Sequence, residues 1–285
     1  QVAAIAHHTQ TMRIGVAVTP VYTRTPAVLA ATADVISQVL PGRFVMGLGS
    51  SSQTIMGAWN GIPLDKPLTR VKETATMVRS MLKGRKSDFD LETLYSKGYR
   101  QAPCENPPPI YLAGLRAKML EMAAEVGDGV SINLWPQGAL PKMLEHVKIG
   151  AQRAGKNWED VEIVNRAMVL VTDDKDLGRN IFRASFGPYY ATPVYNKYLA
   201  WAGYEDAAAA IREGWAAKDR EKTAAAMSDE MIDEIAVIGT AQEVQERIRT
   251  DAHAGVHTQI IAPMAVTPED AMRTFSAFTA DKFSF

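Results

Sequence analysis

Strand-like and helix-like segments alternate along most of this chain, and this alternation limits its possible folds more than any other feature. Short apolar runs occupy residues 13–18, which are rich in β-branched residues, and residues 43–48, and each precedes a helix-like segment. Further strand-like runs cover residues 110–113, 130–134, 161–171 and 259–262. Strands that alternate with helices of roughly ten to fifteen residues favour βαβ units and a parallel sheet. The sequence therefore predicts an α/β fold.

Two parallel architectures are compatible with these strand–helix units. A closed (β/α)8 TIM barrel needs eight units of roughly 30 residues each, which places about two units upstream of Gln1. An open, doubly wound sheet needs nothing upstream. In both architectures, the helical and aromatic-rich segment 177–231 is too long to be a simple connection between a strand and a helix. We predict that they form an insertion within a single domain of residues 1–285.

Composition and charge argue against several classes of function. The chain carries 31 Lys and Arg against 32 Asp and Glu, so no basic surface for nucleic acid is expected. No uninterrupted apolar stretch reaches the roughly 18 residues that span a bilayer. Cys104 is the single cysteine, which excludes an intrachain disulfide and fits a reducing cytoplasm. The 5 histidines have no metal-binding spacing, so no metal site is expected.

A glycine- and serine-rich loop follows the second predicted strand. It runs from Gly47 to Gly49 and continues with Ser50 and Ser51. Glycine allows close approach of the backbone, and serine hydroxyls with backbone N–H groups can bind phosphate oxygens. The pattern is neither a dinucleotide fingerprint nor a Walker motif. A phosphate-binding loop and an ordinary flexible connection therefore both stay open on these residues.

A second glycine loop ends the predicted strand at residues 110–113 and opens a helix. Its residues are Gly114, Leu115, Arg116, Ala117 and Lys118. A helix N-terminus with two cations suits an anion, although the same residues could form a turn with solvated side chains. Because parallel strands end at the same face, where barrels hold their active sites, we expect the two loops to lie on one face.

Aromatic residues suggest where a substrate could bind. Tyr22 follows the first predicted strand, and Trp135 follows the strand at 130–134. Both are candidates for the wall of a substrate pocket. For Tyr22 the residues alone favour a rigid connection with two prolines, and packing of Trp135 against a helix is an equal alternative. The aromatic residues of the insertion are typical of a core or a dimer interface rather than of substrate contacts.

Taken together, these segments resemble the luciferase-like family of flavin- and deazaflavin-dependent enzymes. Residues 13–53 look like its third and fourth strands with the helix between them, and residues 107–130 look like its fifth strand and the following phosphate-side helix. Residues 235–263 look like its closing helix and eighth strand. The resemblance implies a TIM barrel with a helical insertion before the last strand, and it implies that the first two strands lie upstream of Gln1.

The resemblance also implies which residues contact the cofactor. Gly49, Ser50 and Ser51 would line it, and Gly114 to Lys118 would hold its phosphate. Relatives carry a bulge with a non-proline cis peptide on the third strand, which here corresponds to Val16, Ala17 and Val18, and we expect the cis bond between Val16 and Ala17. The catalytic residue stays unknown, because the family's histidine would lie upstream of Gln1.

The cofactor implied by the resemblance is coenzyme F420, with FMN as the alternative. Residues 47–52 and the segment 59–63 look like the deazaflavin-dependent branch, whereas Ser52 replaces the acidic residue of the sugar-phosphate dehydrogenases in that branch. The expected function is hydride transfer between deazaflavin and a small organic substrate by a cytoplasmic homodimer. The alternatives are an FMN-dependent monooxygenase and a non-catalytic flavin-binding subunit.

Overall fold

Parallel strands and helices make up both of the units into which the chain divides. The computed structural model describes residues 1–285. Unit 1 consists of Gln1–Ser131 and His146–Glu162, and unit 2 consists of Ile132–Glu145 and Ile163–Phe285. No helix is both long enough and apolar enough to cross a membrane.

Unit 1 contains a parallel sheet with strand order β1-β2-β5-β6 and a separate antiparallel hairpin, β3-β4. The unit boundaries fall within β6, within α5 and after the first residue of the strand that begins at Glu162. The elements in chain order are α1 Val2–Ala6, β1 Ile14–Pro20, α2 Pro26–Val39, β2 Phe44–Gly49, a π-helix Thr54–Trp59, α3 Pro67–Leu82, β3 Asp88–Asp90, β4 Tyr95–Lys97, β5 Ile110–Ala113, α4 Ala117–Val126, β6 Gly129–Asn133 and α5 Leu140–Arg153.

Local sequence explains how the first βαβ unit is built. Thr25 caps α2 by accepting a hydrogen bond from the N–H of Val28, and Pro26 occupies the first helical position, where its missing N–H costs nothing. Strand β2 is buried along almost its whole length, as expected for a parallel strand covered on both faces. The predicted strands in this region are therefore confirmed.

An irregularity in β1 changes where the cis peptide lies. Strand pairing is regular up to Val16 opposite Met46 and resumes at Thr19 opposite Leu48, so β1 has one extra residue in this interval. The cis peptide bond joins Ala17 and Val18, not Val16 and Ala17 as predicted. The prediction was wrong by one bond, because the register that locates the extra residue depends on pairing with β2.

A polar cluster lies at the amino ends of strands in unit 1. Arg13, just before β1, donates two hydrogen bonds to the carboxylate of Glu162, at 2.7 and 2.9 Å. The hydroxyl of Tyr111 on β5 donates to the same carboxylate at 2.5 Å. Burial, followed by the hydrogen bond to Glu162, raises the pKa of Tyr111 to about 12. The cluster joins the start of β1 to β5 through a shared acceptor.

Unit 2 is organised around one long strand, β7, which pairs in parallel with both β8 and β9. The helices of the aromatic-rich segment lie between β7 and β8 in the chain. The elements are β7 Glu162–Val171, α6 Lys175–Ala191, α7 Pro193–Trp201, α8 Glu205–Ala216, α9 Arg220–Ala225, α10 Asp229–Ile235, β8 Val237–Gly239, α11 Ala241–His253, β9 Thr258–Pro263 and α12 Pro268–Ser276.

The predicted helical insertion is present. A strand that the sequence analysis did not predict, β8, lies between this insertion and the last strand. Helices α6 to α10 precede β8, which is followed by α11 and the last strand, β9. Strand β8 has only three residues, too few to give a recognisable alternating pattern. The hairpin β3-β4 was missed for the same reason, since each of its strands also has three residues.

Two apolar clusters pack against opposite faces of β7. Met168 and Leu170 belong to a cluster with the insertion aromatics Phe182 and Tyr190. Ala167, Val169 and Val171 belong to a second cluster with Val244 and Ile248 of α11. Since successive side chains of a strand alternate between faces, Arg166 shares the face of Met168 and Leu170. The insertion aromatics Tyr190 and Tyr198 are fully buried and form part of the core.

Candidate active site

The two glycine loops begin at neighbouring positions in unit 1. Leu48 of β2 pairs with Leu112 of β5, so Gly49 and Ala113 end adjacent parallel strands. A Cβ atom built on Gly49 would lie 3.1 Å from the Cβ of Ala113 and 2.6 Å from Cγ2 of Val18. Val18, Gly49 and Ala113 thus converge at the carboxyl ends of three strands. The predicted proximity of the two loops is confirmed.

The glycine of β2 that precedes this point allows β1 to come close. A Cβ atom on Gly47 would lie only 1.8 Å from the carbonyl oxygen of Val16. No side chain can occupy that space without moving the β1 backbone. Gly47 was treated as the start of a loop in the sequence analysis, but in the structure it is a strand residue that permits the close contact between β1 and β2.

The serines of the first loop have different local roles. Ser51 adopts a left-handed conformation with φ of 65°, which reverses the chain after β2. The hydroxyl of Ser50 lies 3.3 Å from the carbonyl oxygen of Ser51, and the hydroxyl of Ser52 accepts the N–H of Ile55 at 3.3 Å. Ser52 is therefore committed to the start of the π-helix, whereas Ser50 and Ser51 remain partly exposed at the end of β2.

The second loop leads into α4, whose start has no side-chain cap. The first N–H groups of a helix have no partner within it, and together with the helix dipole they favour an anion. Arg116 and Lys118 are exposed at this start and add two positive charges. The arrangement therefore offers an electropositive helix end next to Ala113.

Gly114 contributes to this loop in a different way from the one predicted. Its N–H donates to the carbonyl oxygen of Ser131 on β6 at 3.0 Å, so this group is already used within the sheet. A Cβ atom on Gly114 would lie 3.1 Å from Cδ2 of Leu120. Gly114 allows α4 to pack closely on the sheet, and the free N–H groups for an anion come from the residues after it.

The two aromatic candidates are placed differently. The hydroxyl of Tyr22 donates to the carbonyl oxygen of Asp65 at 2.5 Å, and the guanidinium of Arg70 lies 5.5 Å from the ring centroid. Burial raises the pKa of Tyr22. Trp135 lies in unit 2 and is 3% exposed, which favours the packing interpretation over a pocket wall.

Two of the 5 histidines contact residues on other elements. Nδ1 of His146 lies 2.9 Å from the Glu121 carboxylate, which also accepts a hydrogen bond from Arg153. Nδ1 of His257 accepts the N–H of Ile163 at 2.9 Å and so joins the residue before β9 to the start of β7. These contacts give both residues a role in holding elements together.

A polar group in unit 2 was missed by the sequence analysis. Asn133 ends β6, and Tyr195 lies on α7. The side-chain amide of Asn133 donates to the hydroxyl of Tyr195 at 3.2 Å. No local pattern signals this contact, because its two residues are 62 positions apart in the chain.

Comparison with known proteins places this geometry in a family. A profile described as luciferase-like monooxygenase matches residues 1–258. The chain belongs to the luciferase-like family. It is 31% identical to a 5,10-methylenetetrahydromethanopterin reductase of Archaeoglobus fulgidus, over 93% of this chain and 80% of that protein. The resemblance drawn from the residues is confirmed.

Solved structures show the same fold at low identity. An F420-dependent tetrahydromethanopterin reductase of Methanopyrus kandleri superposes with a TM-score of 0.80 at 18% identity, covering 99% of this luciferase-like chain and 86% of the other. An F420-dependent secondary alcohol dehydrogenase in complex with an F420–acetone adduct gives a TM-score of 0.75 at 18% identity, covering 99% and 82%. The TIM-barrel-like α/β interpretation is confirmed over the open sheet.

Proposed function

We propose that this luciferase-like protein is an F420-dependent oxidoreductase that transfers a hydride between the deazaflavin and a small organic substrate. One observation carries the proposal: Val18, Gly49 and Ala113 converge at the carboxyl ends of neighbouring strands, and the uncapped start of α4 follows Ala113. The choice of cofactor is supported by the relatives, since both solved structures compared above are F420-dependent by name.

The residues in unit 1 fit a flat ring with a phosphate-bearing tail. Val18 and Ala113 are both partly exposed, and the absence of a side chain on Gly49 lets them approach each other. They offer a small apolar surface for one face of a ring system. The start of α4, with Arg116 and Lys118, suits the phosphate. Ser50 and Ser51 offer hydroxyl groups between these two features.

The chain's own contribution to the reaction is to bind, orient and shield. When bound, F420 supplies hydride transfer through the ring carbon at position 5, which does not support oxygen activation. Val18 and Ala113 would cover one ring face, which excludes water from that side and leaves the opposite face for the substrate. Arg116 and Lys118 would fix the tail and thereby the position of the ring.

Binding and turnover measurements test this proposal against the two alternatives. The purified protein is titrated with F420 while the cofactor fluorescence is followed, and no binding at tens of micromolar would reject the proposal. Binding of reduced FMN together with oxygen consumption would select the FMN-dependent monooxygenase. Cofactor binding without turnover of any alcohol, ketone or enone, in a chain that also includes any upstream residues, would select the non-catalytic subunit.

We further propose that the enzyme acts as a homodimer in the cytoplasm and has no nucleic-acid partner. The single cysteine, Cys104, is compatible with a reducing compartment, and the nearly balanced charge gives no basic surface for a polyanion. Analytical ultracentrifugation at micromolar concentration would measure the oligomeric state, and a monomer at all concentrations would contradict the dimer.

A further inference from the structure

The two ends of helix α4 are completed in opposite ways. Its start has no side-chain cap, which leaves the first N–H groups without partners in the helix. At its end, Nζ of Lys156 donates to the carbonyl oxygen of Gly127 at 2.6 Å and to that of Ala124 at 3.1 Å. Arg79 on α3 donates to the carbonyl oxygen of Val126 at 3.1 Å. Cationic side chains from other elements therefore satisfy the last carbonyl groups of α4.

The position of Lys156 relative to α4 is set by the end of α5. Gly155 adopts a left-handed conformation with φ of 65°, and the N–H of Lys156 donates to the carbonyl oxygen of Ala151 at 3.0 Å. Helix α5 also packs closely on α4, because a Cβ atom on Gly150 would lie only 2.0 Å from the carbonyl oxygen of Glu121. The backbone that carries Lys156 is thus held against the helix whose end it binds.

The ammonium group of Lys156 is partly buried at this position. Burial lowers the pKa of Lys156, and the charge of Asp128 acts in the opposite direction. Lysine is rarely buried without a favourable partner. Here the partners are the carbonyl groups at the negative end of the helix dipole, which a positive charge stabilises. The contact attaches the end of α4 firmly to the segment after α5.

We propose that Lys156 is a positioning residue for a phosphate group bound at the start of α4. The helix has ten residues and spans roughly 15 Å, so Lys156 acts from the far end without touching the phosphate. By holding the last turn, it fixes the direction of the first N–H groups and of the side chains of Arg116 and Lys118. Donors that are held in place before the ligand arrives bind it more tightly. The inference rests on the proposed function, which places the cofactor phosphate at this helix.

The test compares three lysine variants in unit 1. K156M removes the ammonium, K156R keeps a cationic donor, and K156Q replaces K156M if that variant does not fold. The matched control is K72M, because Lys72 is also close to the end of α4 but pairs with the side chain of Glu125, at 2.8 Å, and not with the backbone. Each protein is titrated with F420 and with a deazaflavin that lacks the phosphate-bearing tail, well below its unfolding temperature.

The expected result separates positioning of the phosphate from a general loss of structure. K156M should raise the dissociation constant of F420 about fivefold and leave that of the deazaflavin without the tail unchanged. K156R and K72M should bind F420 as the wild type does. Unchanged F420 binding in K156M, equal weakening of both deazaflavins, or an equal effect of K72M would each overturn the proposal.

Inorganic phosphate distinguishes this failure from failure of the proposed function. Thermal midpoints of wild type and K156M are measured in increasing phosphate, with sodium chloride at matched ionic strength as the reference. If the wild type does not bind F420 but phosphate stabilises it more than K156M, the role of Lys156 stands and the proposed function fails. An equal phosphate response in the two proteins, or none in the wild type, overturns the role of Lys156.

Discussion

Gly49 and Val18 are so close that a Cβ atom on the glycine would lie 2.6 Å from Cγ2 of the valine. The two residues come from neighbouring strands, β2 and β1, and the valine lies within the irregular part of β1. A second neighbour, Ala113, would be 3.1 Å from the same Cβ. Glycine at position 49 is therefore required by the convergence of three strands as well as by any ligand.

Gly49→Ala tests this convergence. The added methyl group must displace Val18, so we expect a loss of about 1–3 kcal/mol in the free energy of unfolding, as for other overpacked sites. Binding of F420 should weaken by about tenfold or more, because the shifted valine would alter the surface on which the ring packs. Urea denaturation and fluorescence titration measure the two effects.

A matched control for the methyl group is Gly187→Ala. Gly187 is buried in α6, but the nearest atom to its added Cβ would be 3.8 Å away, which is ordinary contact. Because alanine is the better helix former, this variant should gain up to about 1 kcal/mol. Equal changes in the free energy of unfolding for Gly49→Ala and Gly187→Ala would contradict the conclusion that Gly49 is needed for the close contact with Val18.

The start of α4 predicts a salt-dependent contribution to cofactor binding. We expect R116Q and K118Q each to raise the dissociation constant of F420 by about tenfold at low salt, since each removes a charge from the proposed phosphate site. Added salt screens exposed charges, so the difference from wild type should shrink as ionic strength rises. R100Q and K86Q, exposed residues that flank the β3-β4 hairpin, should bind F420 as the wild type does.

Tyr111→Phe tests the polar cluster at the amino ends of the strands. Loss of the hydrogen bond to the Glu162 carboxylate should cost about 1.5–3 kcal/mol at neutral pH. The pKa of Tyr111 is raised to about 12, so its contribution to stability is full below its ordinary pKa of 10.0 and is lost as the pH rises towards 12. The stability difference between wild type and Y111F should therefore decrease over that interval.

Alkaline titration followed by circular dichroism provides the measurement for Tyr111. Tyr95→Phe, which changes an exposed tyrosine of β4, serves as the control and should have the same pH dependence as wild type. A constant difference between wild type and Y111F from pH 9 to pH 12 would show that the cluster does not hold the phenol in its neutral form.

The capping box of α11 should make the stability of this helix decrease at low pH. Thr240 and Glu243 cap the helix reciprocally, and Lys175 pairs with the glutamate at 2.8 Å. Thr240→Ala should cost about 1 kcal/mol. The ion pair with Lys175 and the hydrogen bonds from Thr240 lower the pKa of Glu243 to about 2, so its contribution is present above its ordinary pKa of 4.5 and is lost as the pH falls towards 2.

Glu243→Gln separates the charge from the cap. The amide oxygen can still accept the N–H of Thr240, but the attraction to Lys175 is lost. The stability deficit of E243Q should be largest above pH 4.5 and should vanish near pH 2, as measured by urea denaturation at each pH. E221Q, a change at an exposed glutamate of α9, should show no comparable convergence with wild type.

Local sequence patterns were sufficient for much of the fold. Short apolar runs located β1, β2, β5, β6, β7 and β9, because strands of four or more mostly apolar residues leave a recognisable signal. Strand β8 and the hairpin β3-β4 have three residues each, and their pairing rather than their composition defines them. Because β8 is so short, the sequence did not show that the insertion is followed by this strand before the last strand, β9.

By itself, the sequence determined the α/β class, the family and the two glycine loops, because periodicity, turns and helix starts depend on residues close together in the chain. Only the tertiary structure decided that Gly49 packs between Val18 and Ala113, that the N–H of Gly114 is used by Ser131, and that the cis bond follows Ala17. It also brought Asn133 to Tyr195 across 62 residues. Such contacts depend on strand register and on packing between distant segments, which no local pattern encodes.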